Sequence, residues 1–485
     1  MKTEGSDVDV SRARVLEEGL TSLDRGGFGT RARTIWSSTA IRLALVAFVV
    51  YNVNLRPISS ADTFPTRYLP ISILIEHNFD LDEFPFLVTK DYAWPGAGDS
   101  DLPYYLQRRR GHLMSTYPVM AAVLATPVYA LPVLLGLAGD PRAPASNGGF
   151  TRTEIVGTLL AKLTASLATA VSVALMYWAL LRLTSRRGAF WIALGYALAT
   201  SAWSVSSQGL WQSTMSQVLF AGTFLAFLKA SETARARWIA VASSLLALAV
   251  ACRPPAIIFA LVLTPYAFVQ HRKWFLRAFV PPAAACAALL LSYNLYYFAT
   301  LKGGYEGYSA AQVFTLGQMV PAFYGLLFSP NRGILTFSPW LVAGFAGLTV
   351  ALLGRRIPLL RYIAVATLLT IAFYSSNPGW DGGFSYSYRY LVDLTPGLAL
   401  GAALVWEWIQ SRGWRIALLG GMLAVSLGVQ IVGAFDYPCG WYRSPQKDPR
   451  NMARIFDWRD LEVAQCLKQG PVESDGLRVI RGMLR

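Results

Sequence analysis

Long apolar runs, separated by short clusters of basic residues, dominate this sequence of 485 residues. A helix that crosses a bilayer needs roughly 20 apolar residues, because the hydrocarbon core is about 30 Å thick. Runs of that length recur along the chain, and only 15% of its residues are charged, against about 25% in soluble domains. The pattern predicts an all-α, polytopic membrane protein built almost entirely of transmembrane helices.

Eleven runs are predicted to cross the membrane. They lie near residues 38–55, 153–181, 188–206, 212–230, 237–252, 255–270, 278–300, 334–354, 361–376, 390–410 and 414–434. With these crossings, the clusters of Lys and Arg all fall on one side, and this bias marks the cytoplasm.

The expected organisation is a cytoplasmic N-terminal segment over residues 1–37, a transmembrane domain over 38–434 and an extracytoplasmic tail over 435–485. We therefore expect a multi-pass protein of a bacterial inner membrane. The net charge of +15 reflects basic cytoplasmic loops, so binding of nucleic acid is not expected.

The apolar stretch 113–137 does not fit this alternation, because a crossing there would invert every later loop. It also contains Pro118, Pro127 and Pro132, and proline interrupts a helix. We interpret the stretch as a re-entrant or interfacial segment on the outer side. A true span, with one of the other spans miscounted, remains the alternative.

The first outer segment, residues 56–112, contains an Asp in the stretch RPISSADTFPTRYLP. Apolar residues follow it at helical spacing, which predicts an amphipathic helix lying on the membrane surface: Phe64, Tyr68, Ile71 and Ile75. Asp62 is either the N-cap of that helix or a general base that takes a proton from a substrate hydroxyl. Spacing alone leaves both hypotheses open.

Three arginines lie at the outer ends of different predicted spans. Residues 237–270 are too long for one crossing, so we expect two spans joined by an outer Arg-Pro-Pro turn that begins at Arg253. Arg332 and Arg389 lie at similar positions. Each side chain could simply snorkel to the interface, but a guanidinium is also a planar, bidentate donor for a lipid phosphate. Brought together, the three would form an anion site.

Five further residues are candidates for substrate binding. Trp380 and Asp381 precede a pair of glycines, His112 and Tyr117 open the re-entrant segment, and Arg67 follows Asp62 in the first outer segment. The aromatic belt of a membrane protein explains an interfacial Trp equally well.

Taken in order, these features resemble the GT-C superfamily of membrane glycosyltransferases, which includes protein O-mannosyltransferases and the aminoarabinose transferases that modify lipid A. Asp62 in SADTFPTRYLPISIL matches the catalytic Asp that follows the family's first span. The stretch STYP at 115–118 matches the element that opens an outer surface helix, and the Arg-Pro-Pro at 253–255 looks like a basic turn that faces the donor phosphate. The stretch SYRYLVDLTPGLAL resembles a later RYL–P element. The resemblance covers most of residues 38–410.

The resemblance implies an inverting transfer of a sugar from a polyprenyl-phosphate lipid to an unknown acceptor on the outer face of the membrane. Asp62 would deprotonate the acceptor, and Arg253, Arg389 and Arg332 would stabilise the leaving phosphate. Some relatives carry a second acid after the third span for a metal ion. Here that loop reads SSQGLWQSTMSQ, with Gln212 about where the acid would be, so no metal cofactor is expected.

Two other functions remain open. A transporter or flippase of lipid-linked sugars would place ionisable residues inside spans and favour inverted repeats, and Lys162 is the main such residue. The other is a non-catalytic subunit of an envelope assembly complex, and the missing second acid would be consistent with it.

The tail holds Cys439 and Cys466. On the outer side they could form a disulfide, provided that their Cα atoms come within about 7 Å; otherwise they are free thiols.

Overall fold

The computed structural model describes residues 29–58, 60–89, 102–143, 150–306, 314–354, 357–441 and 449–472. Most of the predicted N-terminal cytoplasmic segment, residues 1–28, therefore lies outside the described residues. The chain divides into two units, residues 1–42 and residues 43–485. Of the first unit, the structure describes the start of the first helix. The second unit is mostly helical.

The elements follow one another along the chain. They are α1 Gly29–Asn52, α2 Phe64–Ile75, α3 Phe86–Thr89, β1 Leu106–Arg109, β2 His112–Ser115, α4 Met120–Leu134, α5 Arg152–Leu180, α6 Arg186–Leu198, α7 Gln212–Thr233, α8 Ala236–Cys252, α9 Ile257–Gln270, α10 Arg272–Trp274, α11 Val280–Phe298, α12 Met319–Phe328, α13 Ile334–Phe337, α14 Val342–Leu353, α15 Pro358–Ser375, α16 Thr395–Gln410, α17 Gly413–Phe435, α18 Pro449–Ile455 and α19 Glu462–Gln469.

Five helices in the described ranges are long and apolar enough to cross a membrane. They are Arg152–Leu180, Arg272–Phe298, Pro358–Ser375, Arg389–Gln410 and Gly413–Phe435, with adjoining helical turns taken together. Shorter apolar helices, such as Ala236–Cys252, lie between them. The chain is thus a polytopic membrane protein, as expected, while the count of eleven crossings and the orientation stay predictions.

Small residues let some of these helices approach closely. A Cβ on Gly347 of α14 would lie 1.7 Å from the carbonyl oxygen of Gly401 in α16. Such contact is typical of helix pairs in lipid, where association depends on close van der Waals packing. α5 begins at a capping box, in which Thr151 and Glu154 each accept a hydrogen bond from the backbone N–H of the other.

Two features of the first outer segment differ from expectation. The chain is not entirely α-helical, because β1 and β2 form an antiparallel hairpin that pairs Leu106 with Ser115. The stretch 113–137 supplies strand β2 and the helix α4, which continues through Pro127 and Pro132. The prolines therefore do not interrupt this helix. Whether the stretch is re-entrant stays a prediction.

The helix predicted to lie on the membrane surface forms at the expected place, as α2, but it is not amphipathic in its setting. Tyr68 and Ile71 are buried, and so are Arg67, Thr66 and Ser72 on its other faces. α4 and α5 pack against α2, so protein surrounds most of the helix. The amphipathic character was wrong, because spacing shows which side is apolar but not whether a neighbouring element covers the polar side. The position of the helix at the membrane surface stays a prediction.

Helix boundaries differ most after residue 300. The predicted span 334–354 is broken, because α13 ends at Phe337 and α14 begins at Val342 after a turn of 3-10 helix. A helix that we did not expect, α12, lies between the predicted spans 278–300 and 334–354. By contrast, the predicted break at Arg253 is confirmed: α8 ends at Cys252 and Arg253 is extended.

The described part of the C-terminal segment packs against the loop before α13. Cys439 and Cys466 form a disulfide with their Cα atoms 4.8 Å apart, which confirms the bond as one of the two expected alternatives. Glu462 and Asp460 of the same segment contact the loop before α13, where Asn331 donates to the Asp460 carbonyl. The described part of the tail therefore packs over that loop.

Candidate active site

Asp62 lies in a turn of 3-10 helix, Ala61–Thr63, between α1 and α2. Polar contacts anchor the chain that leads to it. The Ile58 N–H donates to the Gln208 carbonyl at 2.9 Å, and the Asn54 amide donates to the Gln208 side chain at 2.7 Å. Lys162 of α5 donates to the same Gln208 side chain at 2.6 Å. The start of the first outer segment is therefore held on the loop before α7.

The structure separates the two hypotheses for Asp62. The N-cap of α2 is Thr63, and the Asp62 side chain makes no capping bond. Its carboxylate accepts hydrogen bonds from Tyr104 at 2.6 Å and Tyr117 at 2.9 Å, and forms an ion pair with Arg389 at 2.7 Å. The hairpin brings the phenols there, because Tyr104 precedes β1 and Tyr117 follows β2. The N-cap hypothesis is therefore wrong.

The surroundings of Asp62 keep its carboxylate ionised. Burial raises the pKa of Asp62, but the charge of Arg389 and hydrogen bonds from Tyr104, Tyr117 and Arg389 together outweigh burial, so the pKa is lowered. Burial and the nearby Asp62 charge raise the pKa of both phenols, which therefore stay protonated donors. With 19% of its side chain exposed, Asp62 remains in contact with the outside of the fold.

Arg389 opens the 3-10 turn Arg389–Leu394, which leads into α16. Its guanidinium carbon lies 4.6 Å from the ring centroid of Trp211 and 5.3 Å from that of Tyr390. Aromatic faces attract a cation at this distance and exclude water from it. Ser387, which has a positive φ of 65°, hydrogen-bonds Ser201 at 2.8 Å and fixes the chain just before Arg389.

Arg253 belongs to the same cluster. It forms a buried ion pair with Asp393, whose carboxylate also accepts a hydrogen bond from Ser216 at 2.6 Å. The guanidinium of Arg253 lies over Tyr374 and Tyr390, at 5.5 and 5.9 Å. Those two rings stack with centroids 5.0 Å apart. Arg253 and Arg389 therefore share the ring of Tyr390, and two Asp–Arg pairs flank one aromatic cluster.

Arg332 has other partners. Its guanidinium pairs with Glu462 of α19 at 2.5 Å, with both side chains only 1% exposed, and lies 5.6 Å from the ring of Trp441. It also donates to the carbonyl oxygen of Gly383. These contacts compensate its charge within the fold, so the structure favours a role in joining the tail to the loop at Gly383.

Comparison with known proteins identifies the fold. No family model and no curated protein matches the chain. Among solved structures, ArnT from Cupriavidus metallidurans bound to undecaprenyl phosphate aligns with a TM-score of 0.50 and 15% sequence identity, over 84% of this chain and 68% of the ArnT chain. The chain has the GT-C fold.

Oligosaccharyltransferases of Archaeoglobus fulgidus also align. AglB in complex with an inhibitory peptide and a dolichol-phosphate has a TM-score of 0.46 and 9% identity, over 86% of this chain and 59% of that one. The enzyme tethered to an acceptor peptide has a TM-score of 0.48 and 12% identity, over 86% and 58%. This chain thus spans less than two thirds of the length of these two GT-C proteins.

Within the GT-C fold, the other candidate residues lie in several different places. Arg67 donates to Thr158 of α5 at 3.0 Å and lies over Phe64, so it packs between α2 and α5. His112 is exposed at the start of β2, where its ring nitrogen meets Asp82 at 2.7 Å. Neither shows a contact with Asp62. Of the five substrate-binding candidates, Tyr117 is the one seen to contact it.

Trp380 and Asp381 lie on the side of the tail. Trp380 is buried against Gly325 and 5.7 Å from the ring of Phe456 in the C-terminal segment. The Asp381 carboxylate accepts from the Gly383 N–H at 3.2 Å. Both residues shape the loop that leads to Arg389. Their proposed contact with substrate stays a prediction.

Sequence reasoning missed five residues of the cluster: Tyr104, Trp211, Tyr374, Tyr390 and Asp393. Asp393 and Tyr390 lie in the RYL–P stretch already quoted, and a buried Arg253 requires an acidic partner, so Asp393 could have been inferred. Trp211 precedes Gln212, where an acid was considered. Only the fold brings Tyr104 to Asp62.

Arg389 is the cation that pairs with Asp62 in this structure. The position where some relatives carry a second acid is occupied by Gln212, which begins α7. Within the part of the chain that the structure describes, one group of His, Cys, Asp and Glu side chains is close enough to share a metal ion. It consists of Asp80, Asp82 and His112, away from Asp62. The expectation of a metal-free site at Asp62 stays a prediction.

Proposed function

We propose that this protein is a glycosyltransferase that moves a sugar from a polyprenyl-phosphate lipid to an acceptor hydroxyl on the extracytoplasmic face, with inversion at the anomeric carbon. One observation carries the proposal. The Asp62–Arg389 pair and the Arg253–Asp393 pair lie on one aromatic cluster around Tyr390. A carboxylate that can act as a general base and two guanidinium groups that can bind phosphate thus lie around one aromatic cluster of a GT-C fold.

The chemical step uses these groups as follows. The acceptor oxygen attacks the anomeric carbon and forms the new glycosidic bond. The bond between that carbon and the phosphate oxygen breaks, and the polyprenyl phosphate leaves with the electron pair. The acceptor proton goes to Asp62. A carboxylate of lowered pKa is a weak base, so we place the proton transfer late, when the attacking oxygen has become acidic.

Arg253 and Arg389 are proposed to stabilise the leaving phosphate. A guanidinium carries five N–H donors, so one carboxylate partner leaves others for phosphate oxygens. Asp393 and Asp62 hold the two guanidinium groups in place before the lipid arrives, which lowers the cost of organising the site. Burial among aromatic rings strengthens their attraction for an anion, because the local dielectric is low.

No metal is needed in this proposal. Arg389 supplies the positive charge beside Asp62, and the two arginines supply it at the phosphate. A divalent ion at Asp62 would have to displace a guanidinium held at 2.7 Å and two phenol donors.

The contacts of Lys162 disfavour the transporter hypothesis. Its ammonium donates to the Tyr51 carbonyl at 2.8 Å, the Ser207 carbonyl at 3.2 Å and the Gln208 side chain at 2.6 Å. Three oxygen acceptors satisfy its three N–H donors. The residue therefore supports the start of the first outer segment and need not bind a transported ion.

The test is a transfer assay with the purified protein in lipid nanodiscs. Synthetic undecaprenyl phosphates carrying different single sugars are incubated with an envelope extract as acceptor, and release of undecaprenyl phosphate is measured by mass spectrometry. We expect release from at least one donor, and a rate reduced about 100-fold or more in Asp62→Asn, the range for loss of a general base. Asp140→Asn, an exposed Asp before α5, is the matched control. Equal release by Asp62→Asn would exclude Asp62 as the base.

A further inference from the structure

Three potential metal ligands converge away from the Asp62 cluster. Asp80 and Asp82 lie in the loop after α2, and His112 begins strand β2. The Nδ1 atom of His112 is 2.7 Å from an Asp82 oxygen and 3.5 Å from an Asp80 oxygen, and the three ligand atoms lie within 4.8 Å of one another. The Asp82 carboxylate also accepts the Leu113 N–H at 2.6 Å, which holds it against the strand.

The charge around this cluster is unbalanced. Asp80 is 4% exposed, and the neighbouring Glu83 is 1% exposed with one carboxylate oxygen that has no hydrogen-bond partner among the described residues. Asp80 and Asp82 both lie beside one imidazole, that of His112. A buried carboxylate normally has a cationic partner or coordinates a metal.

We propose that Asp80, Asp82 and His112 bind a divalent cation of the Zn²⁺ or Mn²⁺ class. One imidazole nitrogen and two carboxylate oxygens suit these ions better than Ca²⁺ or Mg²⁺, which favour oxygen ligands alone. Ligands bound to Zn²⁺ at about 2.0–2.2 Å are separated by up to roughly 4 Å, so small side-chain rotations suffice. The ion replaces the proton that His112 Nδ1 otherwise shares with Asp82.

The position of the site gives the ion a structural role. It joins the loop after α2 to the hairpin of β1 and β2, whose other end leads to Tyr117 and its hydrogen bond to Asp62. Arg109, which pairs with His112 across the hairpin, forms an ion pair at 2.9 Å with Glu306 in the segment after α11. A bound ion therefore stabilises the first outer segment through residues other than Asp62.

The test is binding of Zn²⁺ and Mn²⁺ to the purified, metal-stripped protein, measured by calorimetry and by metal content after dialysis. We expect one ion per chain and a rise in the thermal midpoint. Affinity should fall at least 10-fold in Asp82→Asn and in His112→Gln, whose side chains are exposed enough that the fold is retained. His77→Asn, an exposed His of the same loop, is the matched control and should bind as the wild type does.

Asp62→Asn separates this proposal from the proposed function. The variant should keep full metal affinity while losing transfer. Loss of binding in Asp62→Asn, with binding retained in Asp82→Asn and His112→Gln, would place the ion at Asp62 and overturn the proposal. Absence of binding to the wild-type protein would also overturn it, and would leave the proposed transfer reaction unaffected.

Discussion

Arg389 lies 2.7 Å from the carboxylate of Asp62, although the two residues are far apart in the sequence. Asp62 follows the first helix, and Arg389 opens the turn before α16. The pair places a carboxylate and a guanidinium of low exposure at one point, with Trp211 covering the guanidinium. The predictions for activity depend on this pair and on Arg253 behind it.

Tyr117→Phe should shift the pH dependence of transfer. Burial raises the pKa of Asp62, while Arg389 and the phenol hydrogen bonds lower it overall. Asp62 acts as a base only when ionised, so activity falls as the pH drops through this pKa. Loss of the Tyr117 bond, which favours the carboxylate, raises the pKa and should move the acid limb of the pH–rate profile to higher pH. The profile of Tyr105→Phe, a neighbouring phenol that does not contact Asp62, should not move.

Arg253→Lys should weaken binding of the donor lipid. An ammonium keeps the charge but lacks the planar, bidentate donor geometry. We expect a lower affinity for undecaprenyl phosphate, measured by native mass spectrometry, with a smaller effect than in Arg253→Ala. Arg187→Lys, at an exposed arginine of α6, is the control and should bind the lipid as the wild type does. Wild-type affinity in Arg253→Ala would exclude Arg253 as a phosphate ligand.

Cys466→Ser should destabilise the C-terminal segment. A disulfide that closes a loop with a sequence separation of 27 contributes about 3 kcal/mol to the free energy of unfolding. We expect a lower thermal midpoint, and proteolysis of the tail at lower protease concentration. Cys286→Ser, which removes a free thiol, should change the thermal midpoint and the protease sensitivity of the tail much less. An unchanged midpoint in Cys466→Ser would show that the Arg332–Glu462 pair and the packing of the tail suffice.

Labelling of single cysteines should establish the orientation. In a chain without other reactive thiols, Arg108→Cys and Arg142→Cys flank the stretch 113–137, and both positions are exposed. An impermeant maleimide applied to intact cells should label both, and should not label Arg235→Cys in the predicted cytoplasmic loop. Labelling on only one side of 113–137 would make that stretch a true crossing.

The sequence could predict features that depend on local chemistry. Apolar length predicted the membrane helices, the Arg-Pro-Pro turn predicted the break at Arg253, and the GT-C resemblance selected Asp62 for the site. The disulfide of Cys439 and Cys466 required only that the two thiols share a compartment and come close.

The features that sequence reasoning missed depend on distant partners. Arg332 has the position of a phosphate ligand, but Glu462 in the tail neutralises it, and no local pattern indicates that pairing. α2 has the spacing of a surface helix, but α4 covers its other side. The hairpin of β1 and β2 is short and rich in arginine, so it lacks the apolar alternation that predicts a strand.

The most direct test of the central claim is mass spectrometry of envelope glycans from the native host. A strain that lacks the gene is complemented with the wild-type protein, with Asp62→Asn or with Asp140→Asn, after equal membrane expression has been verified. The account predicts that one glycosyl unit disappears on deletion, returns with the wild type and Asp140→Asn, and stays absent with Asp62→Asn. Full restoration by Asp62→Asn, or an unchanged glycan profile on deletion, would contradict it.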